Sequence, residues 1–283
     1  MDINNLSVRV ISDCRDGNAR MRYEDRFNAI LPGAHVKVRR VRNDLQAAGN
    51  LVDAIQARRW RHGVIVLNVA PRNEAQERPA DWNGSPFGYV RVDSVDIFGT
   101  VEGDGFTLLQ KVLGRRLELE VFEAAEVVKH LDVDEDTRRE MVESQFRSCE
   151  FVPDLMAVVL SGKPLPSRRG QQVSELTGSW VWEVDCFGNL KTTILPEDVG
   201  FEAGKVFTFH DGRGRTFQVM AYRQLRQVPK GQPGLVIGSS GYQKKRWLEL
   251  VVNGGSARKW FRIKRGELIR MCPENAAVIT EEE

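Results

Sequence analysis

The sequence predicts an α/β protein in two parts: an N-terminal, mainly parallel α/β sandwich domain and a small C-terminal antiparallel β-barrel. Three observations predict it. Strand-like and helix-like segments alternate through the first half of the chain, the pattern of a parallel sheet clothed by helices. The continuous apolar run "GVIVLNVAP" (63–71) has the character of a strand buried on both faces. After residue 178, only short strands separated by Gly, Asp and Asn turns remain, the signature of a small barrel or sandwich.

In chain order, "SVRVIS" (7–12) reads as a strand, "RYEDRFNAIL" (22–31) as a helix stopped by Pro32-Gly33, and "HVKVRRV" (35–41) as a second strand. Apolar residues at helical spacing make "GNLVDAIQARRW" (49–60) a helix before the buried strand at 63–71. "FGYVRVDSV" and "RLELEVFEA" read as two further strands, and "DEDTRREMVESQF" (134–146) and "VPDLMAVVLSG" (152–162) as two helices, the first capped by Asp134. "GKPLPSRRGQQVSELTGS" (162–179) mixes Pro, Gly, Ser and charge without periodicity and reads as a linker. The expected division is therefore 1–165, a linker at 166–178, and 179–283. "WVWEVD", "KTTIL", "KVFTFH", "RTFQVMAY", "GLVIGS", "WLELVVN" and "ELIRMC" supply the barrel strands. Parallel sheets bind ligands beyond the carboxyl ends of their strands, which directs attention to Asp13 and to "NVAPRN" after the third strand.

Composition narrows the function classes. The chain has 283 residues, 28% of them charged, and a net charge of +2, so nothing draws it to a polyanion as a whole. The basic "KVRRVR" (37–42) alternates with valines and suits a strand with one wet basic face better than a nucleic-acid arm. No run approaches a membrane span or a signal peptide, so no membrane partner and a cytoplasmic location are expected. Four cysteines and four histidines are scattered, which indicates neither a disulfide framework nor a metal site. "GSSG" (238–241) lacks the spacing of a nucleophile elbow, "EGDGF" (102–106) is a turn signal, and no Gly-rich phosphate loop follows the first strand.

One stretch interrupts a strand for no evident reason: "VWEVDCFGNLKTTI" (181–194). Its "VDCFGNLKTTI" resembles the D-x-F-G-N-x-x-T-N-I segment of the S-adenosylmethionine hydroxide adenosyltransferase family, whose relatives include adenosyl fluorinases and chlorinases. "GSSGYQKKRWLELVVNGGSA" (238–257) is similar to a second block of that family, with about five extra residues at 243–247. Weaker likenesses, in the family's order, are "ISDCRDGNA" (11–19), "HGVIVLNVAPRN" (62–73) and "QFRSCEF" (145–151).

The resemblance implies a homotrimer that binds S-adenosylmethionine between subunits and attacks its 5′ carbon in line, expelling methionine. It implies that Asp13 accepts the ribose hydroxyls, with Asn18 where the family has a second Asp. Phe187 and Asn189 would face the adenosyl group, the backbone around Asn253 and Gly254 would touch adenine, and Ser239 and Ser240 would hold the methionine carboxylate. Arg246, within the extra residues, is expected to supply a charge that some relatives place at the position of Ser240. Taken singly, Asp13 is a turn or cap residue, Phe187 a core ring, Asn189 a turn former, and the two serines hairpin residues. Their meaning comes from occurring together and in order.

The half of the pattern that activates water departs from the family. Ala70 stands for its Asp, Arg147 for its His and Cys149 for its Arg. "RNEAQERP" keeps only Arg78, and "VEGDG" replaces a P-D-N-G loop. Ser148 falls where fluorinases carry a halide-contacting serine, and Asn73 near their threonine, so Ser148, Arg78 and Asn73 are the catalytic candidates. The expected function is a divergent hydrolase that turns S-adenosylmethionine into adenosine and L-methionine. The alternatives are an inactive homologue holding an adenosyl ligand, an adenosyltransferase using another nucleophile such as halide, or a fold-sharing protein with another ligand. No cofactor other than the substrate, no metal and no nucleic acid are expected.

Overall fold

The computed structural model describes residues 6–58, 61–69 and 84–273. Contacts divide the chain into two units, Met1–Glu175 and Leu176–Glu283. Ala70, Asn73 and Arg78 lie outside the described residues.

The first unit is built on a seven-stranded sheet. Its elements are β1 (Ser7–Ser12), α1 (Gly17–Ile30), β2 (His35–Arg40), α2 (Asp44–Arg58), β3 (Gly63–Asn68), β4 (Phe87–Val92), β5 (Val95–Thr100), α3 (Thr107–Leu113), β6 (Glu118–Phe122), α4 (Ala124–Val127), α5 (Glu135–Glu143), α6 (Arg147–Glu150), α7 (Val152–Leu160) and β7 (Arg168–Gln172). The sheet order is β2-β1-β3-β5-β4-β6-β7. β2, β1, β3 and β5 pair in parallel, and β6 runs with them; only β4 and β7 are reversed. The fold is the expected α/β sandwich. Val8, Val10, Val64, Val66 and Phe98 of the sheet pack with Tyr23 and Phe27 of α1 and with Phe151, Leu155 and Met156 from the α6–α7 region.

Several boundaries differ from the sequence reading for local reasons. α1 starts five residues early because the Asp16 side chain accepts from the Ala19 N–H at 2.8 Å, a capping bond worth about 1 kcal/mol. α2 starts early in the same way, with Asn43 Oδ1 accepting from the Gln46 N–H at 2.9 Å. "FGYVRVDSV" is a hairpin rather than one strand, since Asp93 takes φ 52° and Val92 pairs with Val95. The stretch after "EGDGF" continues into helix α3. Asp134 caps α5 as expected, accepting from the Thr137 N–H.

Part of the expected linker is β7, which pairs with β6 along an edge of the sheet. Its "RRGQQ" carries no hydrophobic alternation, so only backbone pairing identifies it.

The second unit is a closed barrel of β8 (Ser179–Val184), β9 (Leu190–Thr192), β10 (Val206–Asp211), β11 (Thr216–Tyr222), β12 (Pro233–Tyr242), β13 (Lys245–Val252) and β14 (Leu268–Pro273), with α8 (Ala257–Phe261). The order is β10-β11-β12-β13-β9-β8-β14, and β14 pairs back onto β10. All pairings are antiparallel except β11 with β12, joined through Ala221–Leu235 and Tyr222–Val236. The segment between those two strands includes a 3-10 turn, Leu225–Gln227, and is not a tight hairpin loop. Leu190, Phe207, Phe209, Leu235, Leu248 and Leu250 share the core with Phe261 of α8. No helix among the described residues is long and apolar enough to cross a membrane.

Candidate functional site

The interruption at 185–189 is a hairpin turn between β8 and β9 that one carboxylate organises. Asp185 Oδ1 accepts from the Phe187 and Asn189 N–H groups, each at 2.9 Å, and its Oδ2 accepts from Asn189 Nδ2 at 2.9 Å. The backbone closes with Gly188 N–H to Asp185 O at 3.0 Å and Asp185 N–H to Asn189 O at 3.1 Å. This is a three-residue loop with a glycine at positive φ, here 85°. Phe187 is left 74% exposed. A core role for that ring is thereby excluded.

The second block packs directly on this turn. A Cβ on Gly188 would lie 2.1 Å from Ser256 Oγ, and Gly188 O accepts from the Arg258 N–H at 2.9 Å. Ser256 caps α8. Asn253 is committed elsewhere: its Nδ2 donates to Val228 O at 2.6 Å and its O accepts from the Gly231 N–H at 2.8 Å. Its side chain ties down a loop, while exposed Gly254, at φ 74°, forms the tip of the next turn.

"GSSG" is a bulge. Between the pairs Ile237–Leu248 and Gly241–Arg246, Gly238, Ser239 and Ser240 stand opposite Trp247 alone. Bulges re-aim side chains. Ser239 is exposed, whereas Ser240 is buried and accepts from Lys191 Nζ at 2.5 Å. Lys191 also pairs with Glu249 Oε1 at 3.3 Å. Gly238 makes room for that carboxylate, since a Cβ there would sit 2.2 Å from Glu249 Oε1. Burial pushes the Glu249 pKa above its usual 4.5, with Lys191 pulling it back. Residues 243–247 form the tip of the β12–β13 hairpin and the start of β13, with Gln243 at φ 51°. Arg246 Nη1 donates to Ser239 O at 3.0 Å and Gly241 O at 3.3 Å, so it clamps the bulge as well as carrying charge.

In the first unit, Asp13 follows the carboxyl end of β1, is 9% exposed, and donates its N–H to Asn68 O of β3 at 3.2 Å. A polar chain runs from this point into the core. Ser12 Oγ accepts from the Cys14 N–H at 3.0 Å and from Asn68 Nδ2 at 3.4 Å, and lies 3.4 Å from the Tyr23 hydroxyl. Tyr23 in turn lies 2.8 Å from Ser148 Oγ. Ser148 is 2% exposed, and its hydroxyl belongs to this network. Burial raises the Tyr23 pKa and pushes the Cys149 thiol up to about 12, so both stay protonated at neutral pH. Arg147 donates to Ser85 O at 3.1 Å and lies 6.0 Å from the Phe87 ring centroid, over space that Gly84 leaves free. Asn18 is exposed on the first turn of α1.

The structure thus brings Phe187, Asn189 and the 253–258 turn together, ties Ser240 to Lys191, and links Ser148 to the end of β1 beside Asp13. Sequence reasoning missed Tyr23, Ser12, Asn68, Asp185, Lys191, Glu249 and Ser256 as participants. Asp185 had a signal, being the first letter of the D-x-F-G-N motif. Tyr23 had none beyond its place on the buried face of α1.

Residues 179–270 match the model of the SAM hydroxide adenosyltransferase C-terminal domain. A stretch of 119 residues, 42% of this chain, is 33% identical to an (R)-S-adenosyl-L-methionine hydrolase of Thermus thermophilus, and spans 39% of that relative's length. Two crystal structures share the fold. An uncharacterized conserved protein from Thermotoga maritima superposes with a TM-score of 0.64 at 17% identity, over 94% of this chain and 100% of that one. A conserved hypothetical protein, also from Thermus thermophilus, gives 0.58 at 21% identity, over 94% and 99%.

A parallel-rich α/β unit followed by a closed barrel is the fold this chain shares with those two structures. Residues 179–270 are thus similar to the SAM hydroxide adenosyltransferase C-terminal domain, and the chain spans well under half the length of the curated relative it matches.

Proposed function

We propose that this protein binds S-adenosylmethionine and hydrolyses it to adenosine and L-methionine. The observation that carries the reading is the turn organised by Asp185, which offers an exposed Phe187 ring on a barrel of the family's C-terminal type. An exposed ring on a rigid turn costs burial energy unless a ligand covers it. Asp13 accepts the two ribose hydroxyls, Phe187 packs against the adenosyl group, and the 254–256 turn and Ser239 border it. The oxygen of water attacks the 5′ carbon as the carbon–sulfur bond breaks. The electron pair leaves on the methionine thioether, and the water proton passes to solvent.

Neither Tyr23 nor Cys149 serves as a base, because burial keeps both protonated. The reaction then depends on in-line positioning and on the reactivity of the sulfonium itself, and turnover is slow. The working assembly is a homotrimer in the cytoplasm, with each site completed across a subunit boundary. No cofactor or metal takes part.

A second reading, an adenosyl-binding protein without turnover, is favoured by Ala70 in place of the family's Asp and by the commitment of Ser148 to Tyr23. Incubation with S-adenosylmethionine, followed by chromatographic and mass-spectrometric detection of adenosine and methionine, separates the two. Products that accumulate with time support hydrolysis. Saturable binding without products supports the second reading, and absence of binding rejects both. Asp13→Ala should weaken binding about tenfold or more, because a hydrogen bond to a charged group contributes roughly 1.5–3 kcal/mol.

A further inference from the structure

The basic face of "KVRRVR" is part of a cavity distant in character from the adenosyl site. Ser7, Arg9 and Ile11 of β1 and Arg39 of β2 form one wall, and Asn50, Asp53 and Arg58 of α2 the other, around about 490 Å³. The parallel register aligns Ser7 with His35, Arg9 with Lys37 and Ile11 with Arg39. His35, Lys37 and Arg39 therefore share one face of the sheet with Arg9. Three arginines and one aspartate line the cavity, a surplus of positive charge inside a chain that is nearly neutral.

The arginines are arranged, not merely gathered. Arg39 Nε donates to Asn50 Oδ1 at 3.0 Å, and Asn50 is itself held by Gln46 O at 2.7 Å. Arg58 Nη2 donates to Ser7 O at 3.2 Å and Val64 O at 3.3 Å. Its guanidinium occupies space left by a glycine: a Cβ on Gly63 would lie 1.7 Å from Arg58 Nη1. Arg9 is half-buried and has no hydrogen-bond acceptor or carboxylate partner among the described residues. Burial and the neighbouring Arg9 charge both lower the Arg58 pKa. Arg9 and Arg58, two half-buried guanidinium groups that repel one another, with no acceptor among the described residues for the first and only backbone oxygens for the second, are a destabilising arrangement unless an anion joins them.

We propose that this cavity binds a small molecule bearing a phosphate group, with Arg9, Arg39 and Arg58 as its phosphate ligands. A phosphate dianion offers acceptors to several guanidinium forks at once, and the cavity volume suits a phosphate ester of metabolite size. None of these residues belongs to the proposed adenosyl site, so the two proposals stand or fall separately.

Isothermal titration of the full chain with inorganic phosphate, pyrophosphate and ribose 5-phosphate, each against sodium chloride of matched ionic strength, tests it. Saturable one-to-one binding that Arg9→Met weakens about tenfold or more is expected. Arg9→Met should also raise the melting temperature of the free protein by removing like-charge repulsion, while abolishing the rise that the phosphate compound causes in the parent. If ribose 5-phosphate binds more tightly than the inorganic ions, the ligand is an ester; equal binding identifies free phosphate. Should Arg9→Met not fold, Arg39→Gln provides the same comparison from the exposed edge. Binding that chloride reproduces, or that neither variant changes, overturns the proposal. Preference for a single-stranded oligonucleotide, with a steep salt dependence, would replace it with a nucleic-acid surface.

Discussion

Gly188 and Ser256 meet so closely that a Cβ on the glycine would stand 2.1 Å from the serine Oγ. Two sequence blocks 68 positions apart are locked together at this point. Gly188→Ala meets both a backbone cost, about 1–2 kcal/mol for a side chain at positive φ, and the steric conflict with Ser256. Urea unfolding should show a larger loss for Gly188→Ala in the parent than in a Ser256→Gly background. An equal loss in both would mean that Ser256 does not constrain the turn.

Asp185 and Phe187 divide stability from binding. Asp185→Ala removes the acceptor of three hydrogen bonds in the turn and should cost about 1–3 kcal/mol, with faster amide exchange at Phe187 and Asn189. Phe187→Ala removes an exposed ring and should leave stability within about 0.5 kcal/mol. Its affinity for S-adenosylmethionine, measured by calorimetry, should fall. Unchanged affinity would remove the ring from the ligand site.

Tyr23→Phe deletes the hydroxyl that lies between Ser148 and Ser12 and leaves the Ser148 hydroxyl buried without its partner. The expected loss is about 1 kcal/mol or more, read from thermal or urea unfolding. The double variant Tyr23→Phe with Ser148→Ala should recover part of it, since both ends of the bond are then apolar. Non-recovery would place the cost elsewhere in the network.

Glu249 sets a pH dependence with a definite sign. Its folded pKa is raised above the usual 4.5, chiefly by burial, so the native state holds the proton more tightly than the unfolded chain. Its stabilising contribution is present below pH 4.5 and is lost as pH rises through the folded pKa. Unfolding free energies across that window should show a fall in the parent that is reduced in Glu249→Gln. Parallel curves would assign the dependence to other groups.

Strand and helix segments of the first unit were legible because their apolar spacing is intrinsic to the chain. "GVIVLN" is buried on both faces, and Tyr23 and Phe27 recur at helical spacing on one face of α1. β7 was hidden, because "RRGQQ" joins the sheet through backbone hydrogen bonds that side chains do not encode. α3 was hidden behind a glycine-rich turn signal. In the barrel, "FGN" was legible as a motif. The bulge at "GSSG" was not, because it exists only relative to the partner strand on which Trp247 stands opposite it.

The sequence by itself determined the two-part fold class, the likeness of residues 179–270 to the SAM hydroxide adenosyltransferase C-terminal domain and the identity of the turn around Asn189, all of which are local patterns of periodicity and motif. Only the tertiary structure decided what those residues face. Phe187 points outward because Asp185 and Ser256 hold the turn from behind. Ser240 and Ser148, both hydroxyls that sequence would offer to a ligand, are instead bound to Lys191 and Tyr23. Arg9, Arg39 and Arg58, separated along the chain, converge on one cavity because parallel pairing aligns β1 with β2 and α2 packs back across them. Such partnerships depend on distances between segments remote in sequence, and only the folded chain sets those distances.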